Sequence, residues 1–354
     1  MIKQLTATNL TLFPGEHRLE FAAGLNVFIG ENGTGKTHLL KATYALLATS
    51  EETGRKQPDT SPTKTLLQKA YAEKLMGVFK PDALGRLASR KQGRARCEIS
   101  LTFADSTLDT RISFATNAQS DVQVEQLPKK WQKARALFLP TRELMTIYPG
   151  FVALYDMHHV PFEETWRDTC IHLGVPQLKG RRSASVADLL EPLEQAMSGK
   201  VILDKTGRFY LSKAGAGNME MQLVSEGLRK LAMLAQLISN GVLQENGYIF
   251  WDEPEANLNP KLIKLVAQVI YTLAASGVQI FIATHSLFLL RELEIICRKD
   301  GNKNYTQKFF SLALSENEIS IEQGSELTDL QTLVLLDEAL QQTDRFMELT
   351  DDSD

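Results

Sequence analysis

The sequence has few cysteines and no long apolar run, and both absences restrict the class of protein. Its three cysteines, Cys97, Cys170 and Cys297, are far apart and form no CxxC pair, so they fit neither a zinc site nor a disulfide framework. We expect buried or incidental thiols in a reducing compartment. No apolar run approaches the roughly 20 residues of a membrane-spanning helix, and the N-terminus lacks the pattern of a secretion signal. The sequence therefore predicts a cytoplasmic protein with no membrane partner.

Excess positive charge is also lacking. The chain of 354 residues has 39 Lys and Arg against 43 Asp and Glu, which gives a net charge of -4. Any contact with nucleic acid must therefore come from a local basic patch. With 43% hydrophobic and 23% charged residues, the composition excludes the disordered and fibrous classes. It is typical of a globular chain with one large domain or two modest ones.

The stretch GENGTGKT, residues 30–37, carries the most specific chemistry in the chain. It satisfies GxxxxGK[ST] and lies between a predicted buried strand (25–30) and a predicted helix (36–49). Glycines let backbone amides point at phosphates, Lys36 would neutralise their charge, and Thr37 would offer its hydroxyl to Mg²⁺. The predicted nucleotide-binding residues here are Gly30, Glu31, Asn32, Gly33, Thr34, Gly35, Lys36, Thr37 and His38. The alternative is a glycine turn that matches by chance, which the flanking elements disfavour.

Two further apolar strands end in polar residues. YIFWDEPE (248–255) delivers Asp252, which could lie beside Mg²⁺, and Glu253, which could polarise an attacking water. IFIATHS (280–286) ends near His285, which could contact the γ-phosphate or the water. Taken alone, the first pattern is also that of a charged turn after a core strand, and a lone histidine after a strand is more often structural.

Together these motifs resemble those of one family. The order GENGTGKT, SEGLRKL, YIFWDEPEANLNP, IATHS is similar to that of ATP-binding cassette (ABC) ATPases, in the branch that includes RecF, the SMC and DNA-repair ATPases, and OLD-like and Septu-like phage-defence ATPases. The resemblance covers residues 1–50 and 220–290. It implies an α/β P-loop NTPase of ABC type that uses ATP and Mg²⁺, with an N-terminal antiparallel sheet and a mainly helical inserted subdomain. The expected segments are 1–50, 51–200 and 201–354.

Local patterns add further expectations. Residues 50–65, rich in Ser, Thr, Pro and charge, are expected to form a mobile surface connection. Two short helices are predicted over residues 66–79 and 81–89, followed by an antiparallel hairpin or meander over residues 97–116. The apolar strands YIFW and IFIAT, flanked by predicted helices, indicate a parallel sheet that is buried on both faces.

The resemblance also implies roles for residues outside the phosphate-binding loop. Ser225, Glu226 and Gly227 stand at the signature segment, which in the family contacts the nucleotide of the opposite subunit, so a homodimer or higher homo-oligomer is expected. The alternative is that Ser225 is simply an N-cap. Asn257 and Asn259 occupy positions where many OLD-like relatives carry histidines. The family's glutamine loop is not evident, and LPTRE (139–143) is the best positional substitute.

Three basic stretches are candidates for contact with phosphate backbones: residues 85–96, 129–135 and 179–182. The predicted DNA contacts are Arg90, Lys91, Arg94 and Arg96, since relatives often bind DNA. The alternative is that these stretches are solvated helix faces.

The stretch after His285 is too short for the nuclease domain that OLD-like enzymes append, and no long heptad array is present. We therefore expect a separate effector protein, a nuclease or toxin, controlled by an ATPase of bacterial anti-phage defence. The alternative is a RecF-like DNA-repair clamp. An importer subunit is a third, less favoured reading, because the start of the chain and the signature resemble the DNA-acting branch.

Overall fold

Strands and helices alternate along the computed structural model, which describes residues 1–89, 95–158, 160–178, 180, 183–243, 247–299, 306–315 and 318–351. The strands are β1 (Ile2–Leu10), β2 (Phe13–Glu20), β3 (Leu25–Gly30), β4 (Arg96–Phe103), β5 (Thr110–Ala115), β6 (Gln123–Gln126), β7 (Ala136–Leu139), β8 (Lys200–Leu203), β9 (Phe209–Lys213), β10 (Gly217–Glu220), β11 (Tyr248–Asp252), β12 (Gln279–Thr284), β13 (Gln307–Ser315) and β14 (Glu318–Gly324). The α-helices are α1 (Lys36–Lys56), α2 (Lys64–Phe79), α3 (Tyr148–Met157), α4 (Glu164–Leu173), α5 (Ala184–Met197), α6 (Glu226–Ser239), α7 (Pro260–Ala275), α8 (Leu287–Lys299) and α9 (Val334–Asp351).

A six-stranded sheet forms the centre of the fold, in the order β14-β13-β3-β12-β11-β7. All neighbouring pairs from β13 to β7 are parallel, and β14 is added antiparallel at one edge. The inner strands β3 and β12 are buried along their whole length because both faces of the sheet are covered. The predicted parallel sheet is therefore confirmed. Its consequence for function is that five strands end at the same edge.

An antiparallel five-stranded sheet, in the order β2-β1-β4-β5-β6, covers one face of this centre together with α1 and α2. The expected antiparallel sheet at the N-terminus is confirmed, as is the hairpin predicted over residues 97–116. The segment 51–200 contributes more than an insertion, since β4–β6 extend this sheet and β7 joins the central one. Its helices α3–α5 pack with α6, α7 and the small sheet β10-β9-β8 around a second core.

Two local expectations were wrong for reasons of tertiary packing. Residues 50–56, expected in a surface connection, continue α1, because Ser50 and Glu51 are buried and Gly54 lies against the ring of Trp131. Residues 81–89, expected as a helix, hold only a short 3₁₀ turn at Leu84–Leu87. This segment is tied to the antiparallel sheet instead, since the Ser89 amide donates to the Asn9 carbonyl.

The expectation that the cysteines are free thiols is confirmed. All three are buried and unpaired with one another. None of the helices in the described ranges is long and apolar enough to cross a membrane.

A buried ion cluster holds α1, α2 and α4 together. Lys74 is 4% exposed, and its ammonium lies 2.6 Å from Glu52, 3.0 Å from Glu164 and 2.7 Å from Asp168. The hydroxyl of Tyr44 donates to the same Asp168 carboxylate. Burial disfavours the charged ammonium, but the three carboxylates outweigh burial and raise the pKa of Lys74. One buried cation on α2 therefore joins three acids, one on α1 and two on α4.

We expect Lys74→Met to lower the free energy of unfolding by about 3 kcal/mol at pH 7, because it removes the cation shared by the three carboxylates and leaves only Arg167, 3.3 Å from Asp168. Burial already raises the pKa of Glu164, and loss of Lys74 raises it further. A carboxyl whose pKa is higher in the folded than in the unfolded state destabilises the fold increasingly as pH rises between those two values. The loss of folding free energy therefore shrinks as pH falls. The destabilisation should therefore be smaller at pH 5 than at pH 7 in urea unfolding.

The matched control is Lys69→Met on the same helix, where Lys69 and Glu73 are both exposed. It should change stability by less than about 1 kcal/mol. Equal losses in the two variants would contradict a stabilising role for the cluster.

Candidate functional site

The phosphate-binding loop, residues 30–37, joins the end of β3 to the start of α1. Gly33 and Gly35 have φ values of 84° and 85°, which favour glycine. A Cβ at Gly35 would also lie 2.7 Å from the ring of Phe13. The helix has no side-chain cap. The His38 amide donates to the Gly35 carbonyl, but the Lys36 and Thr37 amides at the start of α1 precede any intrahelical acceptor. The loop therefore presents free backbone donors to an anion.

Lys36 lies inside the curl of this loop. Its ammonium donates to the carbonyls of Gly30 at 2.8 Å and Glu31 at 2.7 Å, and the residue is 6% exposed. Burial lowers the pKa of Lys36, and the nearby Glu253 and Asp252 carboxylates partly offset that effect. An anion in the loop would further favour the charged ammonium.

Thr37 and Asp252 meet although they are 215 positions apart. The Thr37 hydroxyl donates to the Asp252 carboxylate at 2.8 Å, and the Thr141 hydroxyl lies 3.4 Å from the other oxygen of that carboxylate. Burial raises the pKa of Asp252, and the hydrogen bond from Thr37 works against that rise. A hydroxyl and a carboxylate at the mouth of a phosphate-binding loop fit Mg²⁺, which binds through one or two carboxylates with phosphate and water.

Glu253 and His285 lie beside this pair. Nδ1 of His285 is 3.1 Å from the Glu253 carboxylate. The Glu255 carboxylate accepts from the Thr284 hydroxyl at 2.6 Å and from the His285 amide at 3.3 Å, so it fixes the histidine's backbone. Glu253 has a φ of 48°, and its amide donates to the Ala283 carbonyl. The arrangement can hold a carboxylate base next to an imidazole donor.

A cavity of about 260 Å³ opens above the loop. Its lining residues are Leu12, Asn32, Gly33, Gly35, Lys36, Thr37, His38 and Glu253. The ring of His38 is also tied to the antiparallel sheet, since its Nδ1 is 2.9 Å from the Thr11 hydroxyl. Burial lowers the pKa of His38, an effect strengthened by Lys41. Leu12, from the turn between β1 and β2, was not predicted, because only the paired sheet carries it to the loop.

The predicted signature segment, Ser225 to Gly227, begins α6 and packs against the turn that follows β11. The Asn257 side chain donates to the Glu226 carboxylate at 2.9 Å, and a Cβ at Gly227 would lie 2.9 Å from the Asn257 carbonyl. Ser225 holds the N-cap position of α6 in its backbone, but its exposed side chain accepts no hydrogen bond from the helix. By contrast, Asn259 caps α7 by accepting from the Leu262 amide.

Two basic residues that the motifs did not single out join α6 to the strand-end loops. Lys230, 2% exposed, donates to the Glu253 carbonyl at 2.7 Å and the Ala256 carbonyl at 3.3 Å. Burial lowers the pKa of Lys230 to about 8, against the raising effect of nearby carboxylates. Arg229 lies 2.8 Å from Glu143, two residues after Thr141. The sequence signal that could have identified them is the presence of two adjacent cations in the otherwise apolar stretch LRKLAMLA.

The predicted DNA contacts are only partly described. Arg90, Lys91 and Arg94 lie outside the described residues. Arg96 donates to the Ser113 hydroxyl at 2.6 Å and the Gln123 amide oxygen at 2.7 Å, so its guanidinium is engaged within its own sheet.

Comparison with known proteins is consistent with this geometry. The family model described as "AAA domain, putative AbiEii toxin, Type IV TA system" matches residues 94–291, more than half of the chain. No curated protein sequence matches. Among solved structures, an Smc head bound to the C-winged helix domain of ScpA is similar with a TM-score of 0.54 at 14% identity, covering 94% of this chain and 99% of that one.

A second solved structure is the Smc head domain with an extended coiled coil, bound to the C-terminal domain of ScpA derived from Pyrococcus furiosus. It has a TM-score of 0.51 at 12% identity and covers 98% of this chain and 99% of that one. At these identities the likeness concerns the fold. The chain belongs to the family described as "AAA domain, putative AbiEii toxin, Type IV TA system", and it has the fold of the Smc head domains.

Proposed function

We propose that this chain binds and hydrolyses ATP with Mg²⁺ and couples the cycle to a separate effector protein. The observation that carries the proposal is the meeting of Thr37, Asp252, Glu253 and His285 at the mouth of the glycine loop. These residues lie at or beyond the carboxyl ends of three neighbouring parallel strands of one sheet. Each has the side-chain chemistry that phosphoryl transfer to water requires.

In this proposal the loop amides and Lys36 bind the phosphates, and Thr37 and Asp252 hold Mg²⁺, which when bound neutralises charge on the phosphates. Thr141, placed against the same carboxylate, takes the position left open by the absent glutamine loop. Glu253 orients a water and accepts its proton. His285, in contact with Glu253, positions that carboxylate and can donate toward the phosphate oxygens.

We further propose that two chains close on two nucleotides, with the signature segment acting across the interface. Ser225 leaves the first amides of α6 without a side-chain partner, so they and the helix dipole are available to a phosphate. Ser225 is also absent from the lining of the cavity above its own loop. Leu223, two residues earlier, is 73% exposed, and Leu12 at the loop is 44% exposed. An interface there would bury both.

The separate effector is supported by the comparisons rather than by a contact in this chain. The matching family is described by a toxin and a Type IV TA system, and the similar Smc heads are bound to domains of another protein, ScpA. We therefore propose a role in bacterial defence, with ATP controlling a nuclease or toxin in the cytoplasm. The DNA-repair clamp remains the competing function, and the capture experiment below separates the two.

We expect Glu253→Gln to accumulate a dimer in ATP and Mg²⁺, because it keeps the binding groups and removes the base. Light scattering after gel filtration should show twice the 39.5 kDa mass of the chain. Lys36→Ala should lose nucleotide binding and show no shift. A Glu253→Gln protein that stays monomeric at saturating ATP would overturn the closed dimer.

Mixing two inactive variants tests whether the signature acts across the interface. Ser225→Arg places a bulky cation at the signature, and Lys36→Ala disables the loop, so each variant alone should be nearly inactive. In a mixed dimer one site keeps both an intact loop and an intact signature. When equal amounts are mixed and pair at random, about half of the dimers contain one copy of each variant. Each of these has one intact site out of two, so about a quarter of wild-type ATP turnover should return. If the ATP turnover of the mixture equals the mean turnover of the two variants measured alone, the signature does not act across the interface.

For the effector, we expect affinity-tagged Glu253→Gln, expressed with its chromosomal neighbours in ATP, to retain a nuclease or toxin encoded beside it. Lys36→Ala is the matched control, because it should not reach the closed state and should retain less of the partner. Mass spectrometry of the two eluates gives the comparison. DNA without a protein partner would favour the repair clamp instead.

A further inference from the structure

A basic cleft lies at the opposite end of the central sheet from the nucleotide site. It has a volume of about 910 Å³ and is bounded by the C-terminal end of α1, the segment before β7 and the end of α6. Among the described residues that line it, five are cationic and only Glu51 is acidic; the cations are Arg55, Lys129, Lys130, Lys133 and Arg135. In a chain of net charge -4, this is a local reversal of sign.

The backbone that displays these cations is fixed by its neighbours. Trp131 is 8% exposed, packs against Gly54, and donates its indole N–H to the Thr60 carbonyl at 2.6 Å. The Gln132 amide donates to the Ser50 hydroxyl at 3.0 Å. The Arg135 carbonyl accepts from the amide at the start of β11. The cleft therefore exists before any ligand arrives, and its shape does not depend on the lysines.

Three of the cleft cations have no close ion pair within the part of the chain that the structure describes. Lys130 pairs with Asp105 at 2.5 Å, whereas Lys129, Lys133 and Arg135 form no ion pair within 4.0 Å among the described residues. Lys129 and Lys133 are exposed, and Arg135 is half-buried. Holding like charges together in one concave surface is unfavourable in the free protein, so an anion with several charges would be attracted to it.

The lining indicates which anion. Among the described lining residues, the two bulkiest apolar side chains, Trp131 and Val242, are 8% and 7% exposed. Neither therefore forms an open apolar pocket of the kind that receives the anchors of protein partners, and no described ring of the lining is exposed for a base to stack on. The cations are the groups of the lining that remain available to a ligand, and contact with cations is how proteins hold phosphodiester backbones.

The size of the cleft favours one strand over two. A cavity of about 910 Å³ is roughly 10 Å across, which is narrower than the ~12 Å major groove of B-DNA alone. We propose that this cleft binds the phosphate backbone of single-stranded nucleic acid, without preference for base sequence. The site goes beyond the proposed ATPase cycle and does not require it.

The experiment measures binding of labelled oligothymidylate and oligoadenylate of about 15 nucleotides to the full chain by fluorescence anisotropy, over a range of salt concentrations. The variant is Lys129→Ala, Lys133→Ala and Arg135→Ala together. The matched control removes three exposed lysines elsewhere, as Lys69→Ala, Lys205→Ala and Lys264→Ala together, with the same change in net charge. Circular dichroism establishes that both proteins are folded.

We expect wild type to bind both oligonucleotides equally, and the cleft variant to bind at least about tenfold more weakly in 0.1 M salt. The slope of log K against log salt should fall in magnitude by about 2, because each lost contact with a single strand contributes about 0.7. The control should keep wild-type affinity and slope, and Lys36→Ala should also keep them.

Four results would overturn the proposal. One is the absence of oligonucleotide binding by wild type. Equal loss in the cleft variant and the control would mean that net charge alone is responsible, and loss in Lys36→Ala would place the phosphate in the nucleotide site. Tighter binding to a duplex, or to an acidic peptide, than to the single strand would assign the cleft to another ligand.

Discussion

The candidate site depends on the parallel register of three neighbouring strands. β3, β12 and β11 run side by side with Ile282 opposite both Val27 and Trp251, so their carboxyl ends reach one edge together. This register brings the hydroxyl of Thr37, in the first turn of α1 after the loop that follows β3, to the carboxylate of Asp252 at the end of β11. A shift by one residue would also turn buried side chains toward the other face of the sheet. The apolar core and the polar edge are therefore fixed by the same pairing.

Helix α6 is connected to the edge of the central sheet that carries the candidate site by two adjacent basic residues. Lys230 donates to the Glu253 carbonyl, and Arg229 pairs with Glu143 in the loop that carries Thr141. A fully buried cation is costly unless it finds acceptors. The acceptors of Lys230 are backbone carbonyls in the loop after β11, and the partner of Arg229 is the Glu143 carboxylate in the loop after β7. A displacement of α6 would move those acceptors or leave the cations unsatisfied. This is a physical route by which an anion at the start of α6 can alter the geometry around Glu253.

Sequence patterns located the parts of the site that rest on local structure. The glycine loop, Asp252, Glu253 and His285 could be found because each directly follows an apolar strand, and parallel strands share an edge. Thr141 could be placed only within a five-residue window, because its contact with Asp252 depends on β7 pairing with β11. Leu12 and Lys230 reach the site through tertiary packing. The wrong helix at residues 81–89 has the same cause, since pairing with the antiparallel sheet overrides a local preference.

Two elements physically join the nucleotide edge to the basic cleft. Helix α1 begins at Lys36 in the loop and carries Arg55 into the cleft, a span of roughly 30 Å for 21 residues. β7 begins next to Arg135 in the cleft and ends two residues before Thr141. Both are held along their length, α1 by the Lys74 cluster and β7 by its pairing with β11. If nucleotide moves the loop relative to the sheet, α1 and β7 move the cleft cations relative to one another. Coupling of this kind is reciprocal, so a strand bound in the cleft would alter affinity for nucleotide by the same factor.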